Sequence, residues 1–419
     1  MMAVEGPFLA AVIARLVDAT FNLAAHGVAV AFAILIESPV IMIMSASTAL
    51  VTDADSYRKL RNFTNVLNGA VTLAMGIVLI PGVFDTVMGG VVGLPDEVAH
   101  LVYGALVILI PWPGTIGYRR FYQGLLIRRG RTRLVAVGTV IRLATMAATA
   151  ATLALHTDLA GAYVGAAALS AGVVVEAVAA RVMARATIGA LLTGAPPASG
   201  TALDYRVIAA FYYPLALTSF LGLAVQPMLT FFMGRATLPV VSLAVYPVVH
   251  ALSFLFRAIG LSFQEAAIAL LGDRLEHVRA VGRFGLVLGL GAAGGLGLIA
   301  FTPLAGLWFE GVSGLSADLA AYARAPTIAL VPLPALSVLL SFQRALLVKA
   351  RTTRPVTLAT VVEVLGIAVT FVVLDRFTAM VGVTAAATAF VAGRLGGNAV
   401  LLRPCVAAIR GAADRVNAR

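Results

Sequence analysis

The chain is 419 residues long, with 61% hydrophobic residues, 12% charged residues and a formal net charge of +11. Soluble domains are near half apolar and a quarter charged, so this composition excludes a water-soluble globular protein. The basic excess (pI about 10.4, mean hydropathy +0.99) is gathered in short stretches between apolar segments. That is the positive-inside pattern of a membrane protein, not a nucleic-acid-binding surface. The single cysteine, Cys405, excludes an intramolecular disulfide and a cysteine-based metal cluster.

A membrane-crossing helix needs about 20 apolar residues. Segments of that length or longer run over 20–51, 64–92, 97–118, 134–155, 159–180, 207–234, 237–270, 284–308, 325–348, 356–374 and 379–402. A shorter apolar stretch, 2–16, opens the chain without the basic flank and small-residue cleavage site of a signal peptide. The expectation is an all-α membrane protein of about 12 transmembrane helices.

Alternate loops differ in charge. One set carries Arg58, Lys59 and Arg61, then Arg128, Arg129, Arg131 and Arg133, then Arg181, Arg185 and Arg206. It continues with Arg274, Arg279 and Arg283, then Lys349, Arg351 and Arg354, and ends in a tail with Arg403, Arg410, Arg415 and Arg419. The other set holds Arg15, Arg235, Arg324 and Arg376 among acids such as Asp18, Asp85, Asp96, Glu97, Asp158, Glu310, Asp318 and Asp375. This asymmetry places both termini and the basic loops in the cytoplasm, giving a multi-pass protein of the cell (inner) membrane.

The chain also matches itself at an offset of 220 to 221 residues. LVILIPWPGTIGYRRFYQGLLIRRGRTR, from Leu106, aligns with TIALVPLPALSVLLSFQRALLVKARTTR, from Thr327. Pro111 and Pro113 fall on Pro332 and Pro334, Pro7 on Pro227, Arg15 on Arg235 and Asp53 on Asp273. Six helices per copy make a parallel repeat, with a pseudo-two-fold axis along the membrane normal. The expected organisation is an N-terminal lobe over 1–193, a cytoplasmic linker over 194–204 (GAPPASGTALD), a C-terminal lobe over 205–402 and a tail over 403–419. Met2 aligns with Gly222, so residues 207–221 have no N-terminal counterpart. The first helix is therefore expected to be truncated at its N-terminus, a short re-entrant helix being the alternative.

Charges inside apolar segments are costly and are functional candidates by default. Glu37 lies near the middle of its span and aligns with Arg257; Arg142 aligns with Glu363. The signs swap between the copies. Glu5, Glu176 and Arg394 add further intramembrane charges. Two readings are open for these residues: ligands or gates facing a polar cleft, or structural ion pairs fixing helix packing. Arg142 and Glu363 are the stronger candidates for the structural reading, since they can sit near the cytoplasmic interface. Pro7 and Pro227, in repeat-equivalent helices, are candidate hinges, because proline removes a helical hydrogen bond. Prolines 39, 111, 113, 247, 326, 332 and 334 are weaker candidates. His250, three residues after Pro247, is read as a pore-lining or a packed histidine.

GLGAAG at 289–294 matches G-x-G-x-x-G, but follows no strand; with Gly285 and Gly295 it reads as a small-residue helix-packing face. H-E-x-x-H, G-x-S-x-G and the Walker A lysine motif are absent, so no enzymatic chemistry is expected.

Two six-helix lobes in a parallel repeat look like the multidrug/oligosaccharidyl-lipid/polysaccharide (MOP) exporter superfamily, with its MATE-like fold. Within it, FYYPLAL at 211–217, QPMLTFFMGR at 226–235 and YPVVH at 246–250 resemble the progressive ankylosis protein family. The matched positions are Tyr212, Tyr213, Pro214, Pro227, Arg235, Tyr246, Pro247 and His250, and Gln226 opens the second motif. The resemblance implies export of small anionic metabolites such as pyrophosphate, nucleotides or organic acids; related branches extrude cationic drugs or flip lipid-linked sugars.

The expectation is thus a secondary active exporter of a small anionic organic solute, working by alternating access between two lobes. Multidrug efflux, lipid-linked saccharide flipping and a non-transporting scaffold or receptor are the alternatives. The candidate binding or gating residues are Glu37, Arg257, Arg142, Glu363, Glu5, Gln226, Tyr212, Tyr213, Tyr246 and His250. No cofactor or metal is expected beyond a coupling H+ or Na+. The expected partners are a small-molecule substrate and the lipid bilayer, with no nucleic acid, and the expected state is a monomer.

Overall fold

The computed structural model describes residues 2–193, 203–272, 275–350, 352 and 354–417. Most of the linker (194–202), together with Asp273, Arg274, Arg351 and Arg419, lies outside the described residues. The described chain is helical, with no strand among the described residues. The main helices are α1 Glu5–Ile13, α2 Ala19–Glu37, α3 Ile43–Leu50, α4 Ala54–Val78, α5 Asp96–Ile108, α6 Trp112–Arg128, α7 Thr132–His156, α8 Gly161–Met183 and α9 Arg185–Thr193. They continue with α10 Tyr205–Leu223, α11 Val225–Gly234, α12 Pro239–Leu270, α13 Val278–Phe301, α14 Ala317–Leu330, α15 Leu333–Lys349, α16 Arg354–Phe377 and α17 Gly382–Asn417.

Ten helical stretches among the described residues are long and apolar enough to cross a membrane, or eleven when one bent pair counts as a span. The chain is therefore a multi-pass helical membrane protein. The bent pair is Ala54–Val78 with Pro81–Val92, turned by 79°. Pro81 follows an extended Ile80 (ψ 123°) and cannot continue the helix before it. The expected span over 64–92 is thus a helix starting at Ala54 and a bent continuation. Arg58, Lys59 and Arg61 lie in the first two turns of α4, not in a loop. The stretch 2–16 forms a 3-10 turn, Met2–Val4, and the nine-residue α1. At 1.5 Å per residue α1 is about 14 Å long, half of a hydrocarbon core.

The repeat reappears as recurring backbone devices. Asp18 and Leu238 both hold left-handed backbone, φ 52° and 55°, at the starts of α2 and α12. Gly93 and Gly314, φ 79° and 72°, each follow a π-helical stretch, Asp85–Val92 and Leu307–Val312. Pro111 and Pro332 each cap the second half of a broken span, α6 and α15. In the first copy that break frees the carbonyl of Ile108, which accepts the Ser170 hydroxyl at 2.9 Å. Pro7 and Pro227 are each the third residue of their helices, where a missing N–H costs nothing.

Packing divides the chain into two compact units. The first comprises Met1–Glu5 and Val12–Phe231, the second Gly6–Ala11 and Phe232–Arg419. Lobes drawn along the chain and units drawn by packing therefore differ. Tyr205–Phe231, the opening of the second copy, belongs to the first unit, and Gly6–Ala11, from the opening of the first copy, belongs to the second. In the first unit Tyr212 of α10 is buried and donates to the Pro39 carbonyl, its ring edge-on to Phe63. In the second, Gly6 approaches Ala251 so closely that an added Cβ would lie 3.2 Å from that methyl.

Within each unit the buried faces are rich in small residues. α8 buries Gly161, Ala162, Gly165, Ala166, Ala168 and Gly172 and packs along α7. α16 packs along α17 in the same way. Gly289 of α13 meets α15, where an added Cβ would stand 3.3 Å from Ala335 Cα. The G-x-G-x-x-G match is thus part of a helix whose packed side is small. The opposite side of α13 exposes Phe284, Leu286, Val287, Leu290 and Leu298. A wide exposed apolar face would be unstable in water and is the surface expected in lipid.

Candidate functional site

Each unit carries charged side chains in its interior, and the two sets are built differently. In the first unit Glu176 of α8 is fully buried. It accepts from Arg119 Nη1 of α6, and Gln123 Nε2, one turn further along α6, donates to its other oxygen at 3.0 Å. Arg142 of α7 lies 3.8 Å from the same carboxylate and donates to Glu5 Oε2 of α1 at 2.5 Å. Arg142 also stacks 5.6 Å from the Trp112 ring, and the Trp112 indole N–H donates to Glu37 at the end of α2. Two arginines (Arg119 and Arg142) thus pair with two glutamates (Glu5 and Glu176), and Trp112 links Arg142 to a third, Glu37. Low dielectric makes an unmatched charge costly, and this cluster is matched.

In the second unit Arg394 of α17 pairs with Glu363 of α16 at 2.7 Å and donates to Ser337 Oγ of α15 at 3.0 Å. Arg257 of α12 has no carboxylate within ion-pair distance among the described residues. Its guanidinium lies 4.7 Å from the centre of Phe390 and 5.9 Å from Phe254. Its one polar contact is long, Nη1 to His250 Nε2 at 3.5 Å, and its Nε is buried without a partner. The aromatic rings form a stack: Tyr246, Phe254 and Phe390 lie 5.5, 6.2 and 6.5 Å from His250 with small interplanar angles. Ring faces stabilise a guanidinium by about 0.5–2 kcal/mol, but they do not neutralise its charge.

The structure places the candidate residues as follows. Glu37, Arg142 and Glu5 fall in the first cluster, and Arg257, Glu363, Tyr246 and His250 in the second. Tyr212 is held by Pro39, whereas its neighbour Tyr213 is 69% exposed. Gln226 is partly buried on α11, and its carbonyl accepts Thr230 Oγ1 at 3.1 Å. Pro227 lies one position after it, just past the break between α10 and α11 at Ala224. The sequence reading missed Arg119, Gln123 and Trp112. The span set at 97–118 in fact runs from Asp96 to Arg128, so Arg119 and Gln123 lie inside it. A cavity of about 540 Å³ in the first unit is lined by Asp18, Phe21, Asn22, Glu97 and Asp158 among others. None of the candidate residues lines it.

No protein-family model matches the chain, and a search of curated proteins returns no match. Solved structures do match. An inward-facing multidrug resistance MATE family transporter of the MOP superfamily aligns over 98% of this chain and 95% of its own, with TM-score 0.74 and 15% identity. Lipid II flippase MurJ, in an inward closed conformation, aligns over 98% and 88%, with TM-score 0.73 and 12% identity. An outward-facing MATE family transporter aligns over 99% and 94%, with TM-score 0.66 and 13% identity. At these identities the likeness concerns the fold: the chain is an all-α membrane protein with the fold of the MATE transporters of the MOP superfamily.

Proposed function

We propose that the protein is a secondary transporter that exports a small anionic organic solute by alternating access between two lobes. The observation that carries this reading is Arg257, a guanidinium inside an apolar helical unit with rings and a histidine around it and, among the described residues, no carboxylate within ion-pair distance. A cation so placed calls for an external anion. The shared fold supports transport, since its neighbours are transporters and a flippase. Glu37 is the candidate carrier of a coupling H+ or Na+, as a buried carboxylate that accepts from the neutral Trp112 indole. The basic loops support cytoplasmic termini in an inner membrane.

A second reading, flipping of a lipid-linked saccharide, is favoured by the near-equal likeness to the lipid II flippase. It shares the anionic headgroup and differs in the lipid. Purified protein, screened by thermal shift against organic anions, cationic dyes and isoprenoid phosphates, separates the two. Stabilisation by soluble anions that is lost in Arg257→Ala supports the first reading. Stabilisation by isoprenoid phosphates alone supports the second, and stabilisation by cationic dyes alone contradicts both. Glu37→Gln is expected to fold normally and to abolish coupled uptake in proteoliposomes; normal uptake would remove Glu37 from the mechanism.

A further inference from the structure

Arg344 lies on α15 five residues before Lys349, at the end of the span that meets a basic loop. It is partly buried, with its Nε enclosed and without a partner. Its one hydrogen bond is a long contact from Nη2 to Thr360 Oγ1, at 3.4 Å. No carboxylate lies within ion-pair distance of it among the described residues.

The internal repeat supplies a control for this position. At the offset of 221, Arg344 falls on Gln123. Gln123 is neutral and donates to Glu176, which also holds Arg119. The position of Glu176 falls on Gly397 at the same offset, with Asn398 next to it. Asn398 replaces no carboxylate: Gln343 donates only to its backbone carbonyl, its side-chain amide donates to the Leu336 carbonyl, and its Oδ1 has no partner among the described residues. The second unit has thus gained a cation where the first has an amide, and lost the carboxylate that the first places opposite. Among the described residues its interior carries Arg257, Arg344 and Arg394 against Glu363. Arg257 and Arg344 occupy different levels. Arg257 sits against Phe390, one turn before Arg394 on α17. Arg344 is seven residues, about 10 Å along the helix axis, beyond Ser337, the residue that Arg394 grips.

We propose that Arg344 and Thr360 form a second anion subsite, separate from Arg257, which takes a phosphate or carboxylate group on the side of the basic loops. It rests on the reading of the protein as an anion transporter. The guanidinium offers a planar fork suited to two oxygens, and the Thr360 hydroxyl, which donates to the Val356 carbonyl at 3.0 Å while accepting from Arg344, supplies a further donor once it turns from that carbonyl to the anion. Glu363, held by Arg394, stays in place as the counter-charge between the two levels.

The test uses the full chain in detergent, with anion-induced thermal stabilisation as the readout and sodium chloride at equal ionic strength as the blank. The probes are inorganic phosphate, succinate and, for a lipid-borne phosphate, dihexanoyl phosphatidic acid. Arg257→Ala removes the first site, so residual stabilisation in that variant isolates the second. The expected result is stabilisation of Arg257→Ala that weakens ~10-fold or more in apparent Kd when Arg344→Gln is added. Arg344→Lys should restore part of it, and Thr360→Val should weaken it without lowering the unliganded midpoint. Phosphate or succinate acting assigns a soluble anion, and phosphatidic acid acting alone assigns a lipid headgroup. If the anions stabilise wild type but not Arg257→Ala, the second subsite is wrong and the site at Arg257 stands. If all variants respond alike, or wild type does not respond, both assignments fall.

Discussion

Asn22 Oδ1 accepts the backbone N–H of Ala162 at 2.9 Å, and at the repeat-equivalent position Ser242 Oγ accepts the N–H of Val383 at 3.1 Å. Each bond ties the start of one helix to the second residue of another that begins with a closely packed glycine. An added Cβ at Gly161 would stand 2.9 Å from Ile13, and one at Gly382 would stand 2.9 Å from Ala236. The same device has therefore survived in both copies with different side chains. Asn22 does more, since its amide also donates to the Val17 carbonyl at 2.9 Å. Asn22→Ala is expected to cost about 2–3 kcal/mol and Ser242→Ala about 1 kcal/mol, as buried N–H groups lose their acceptors. Thermal unfolding of both variants in detergent measures the order.

Glu176 is the keystone of the first cluster. Glu176→Gln leaves Arg119, 2% exposed, without a counter-charge, and breaking one side of such a buried pair costs about 3–5 kcal/mol. Replacing both partners, Arg119→Met with Glu176→Met, should recover most of that loss. A double variant as unstable as the single one would show that the pair is not what sets the cost.

Asp53 caps α4, accepting the Ser56 N–H at 2.9 Å while Ser56 Oγ accepts the Asp53 N–H at 3.0 Å. The backbone bond from Ser56 holds the carboxyl below its ordinary value of 3.8. The folded state therefore favours the ionised form. Its contribution is complete above the ordinary value and is lost as pH falls through the lowered one. Asp53→Ala should cost about 1 kcal/mol at neutral pH. Asp53→Asn keeps an acceptor but cannot titrate, so its midpoint should fall less than that of wild type between about pH 5 and pH 3. An identical acid profile in both proteins would contradict the assignment.

Tyr212 and Tyr213 are adjacent yet opposite in role. Tyr212→Phe removes the donor to the Pro39 carbonyl and should cost about 1 kcal/mol. Tyr213→Ala should change stability by less than about 0.5 kcal/mol, since that ring is exposed. The comparison of the two midpoints in one detergent decides it.

The repeat and the buried charges were legible in the sequence because both are written in spacing. Prolines at a fixed offset marked the repeat, and the charged positions Glu5, Glu37, Arg142, Glu176, Arg257, Glu363 and Arg394 were all visible inside apolar runs. Pairing was not legible. Whether Arg142 meets Glu5 and Glu176 depends on the rotation and depth of three helices, and hydropathy carries neither. Arg119 and Arg344 were overlooked for related reasons. The first stood beyond a span ended ten residues early, because the adjacent Arg119 and Arg120 interrupt the apolar run. The second sat near the basic end of its span, where an arginine is ordinarily one that reaches the interface. The exchange of Gly6–Ala11 and Tyr205–Phe231 between units leaves no mark on hydropathy either.

Uptake of labelled organic anions into proteoliposomes tests the central claim most directly. Wild type and Arg376→Ala, an exposed arginine at the end of α16, should both show saturable uptake of at least one anion, and Arg257→Ala should show none. Equal uptake by Arg257→Ala and wild type would contradict the account.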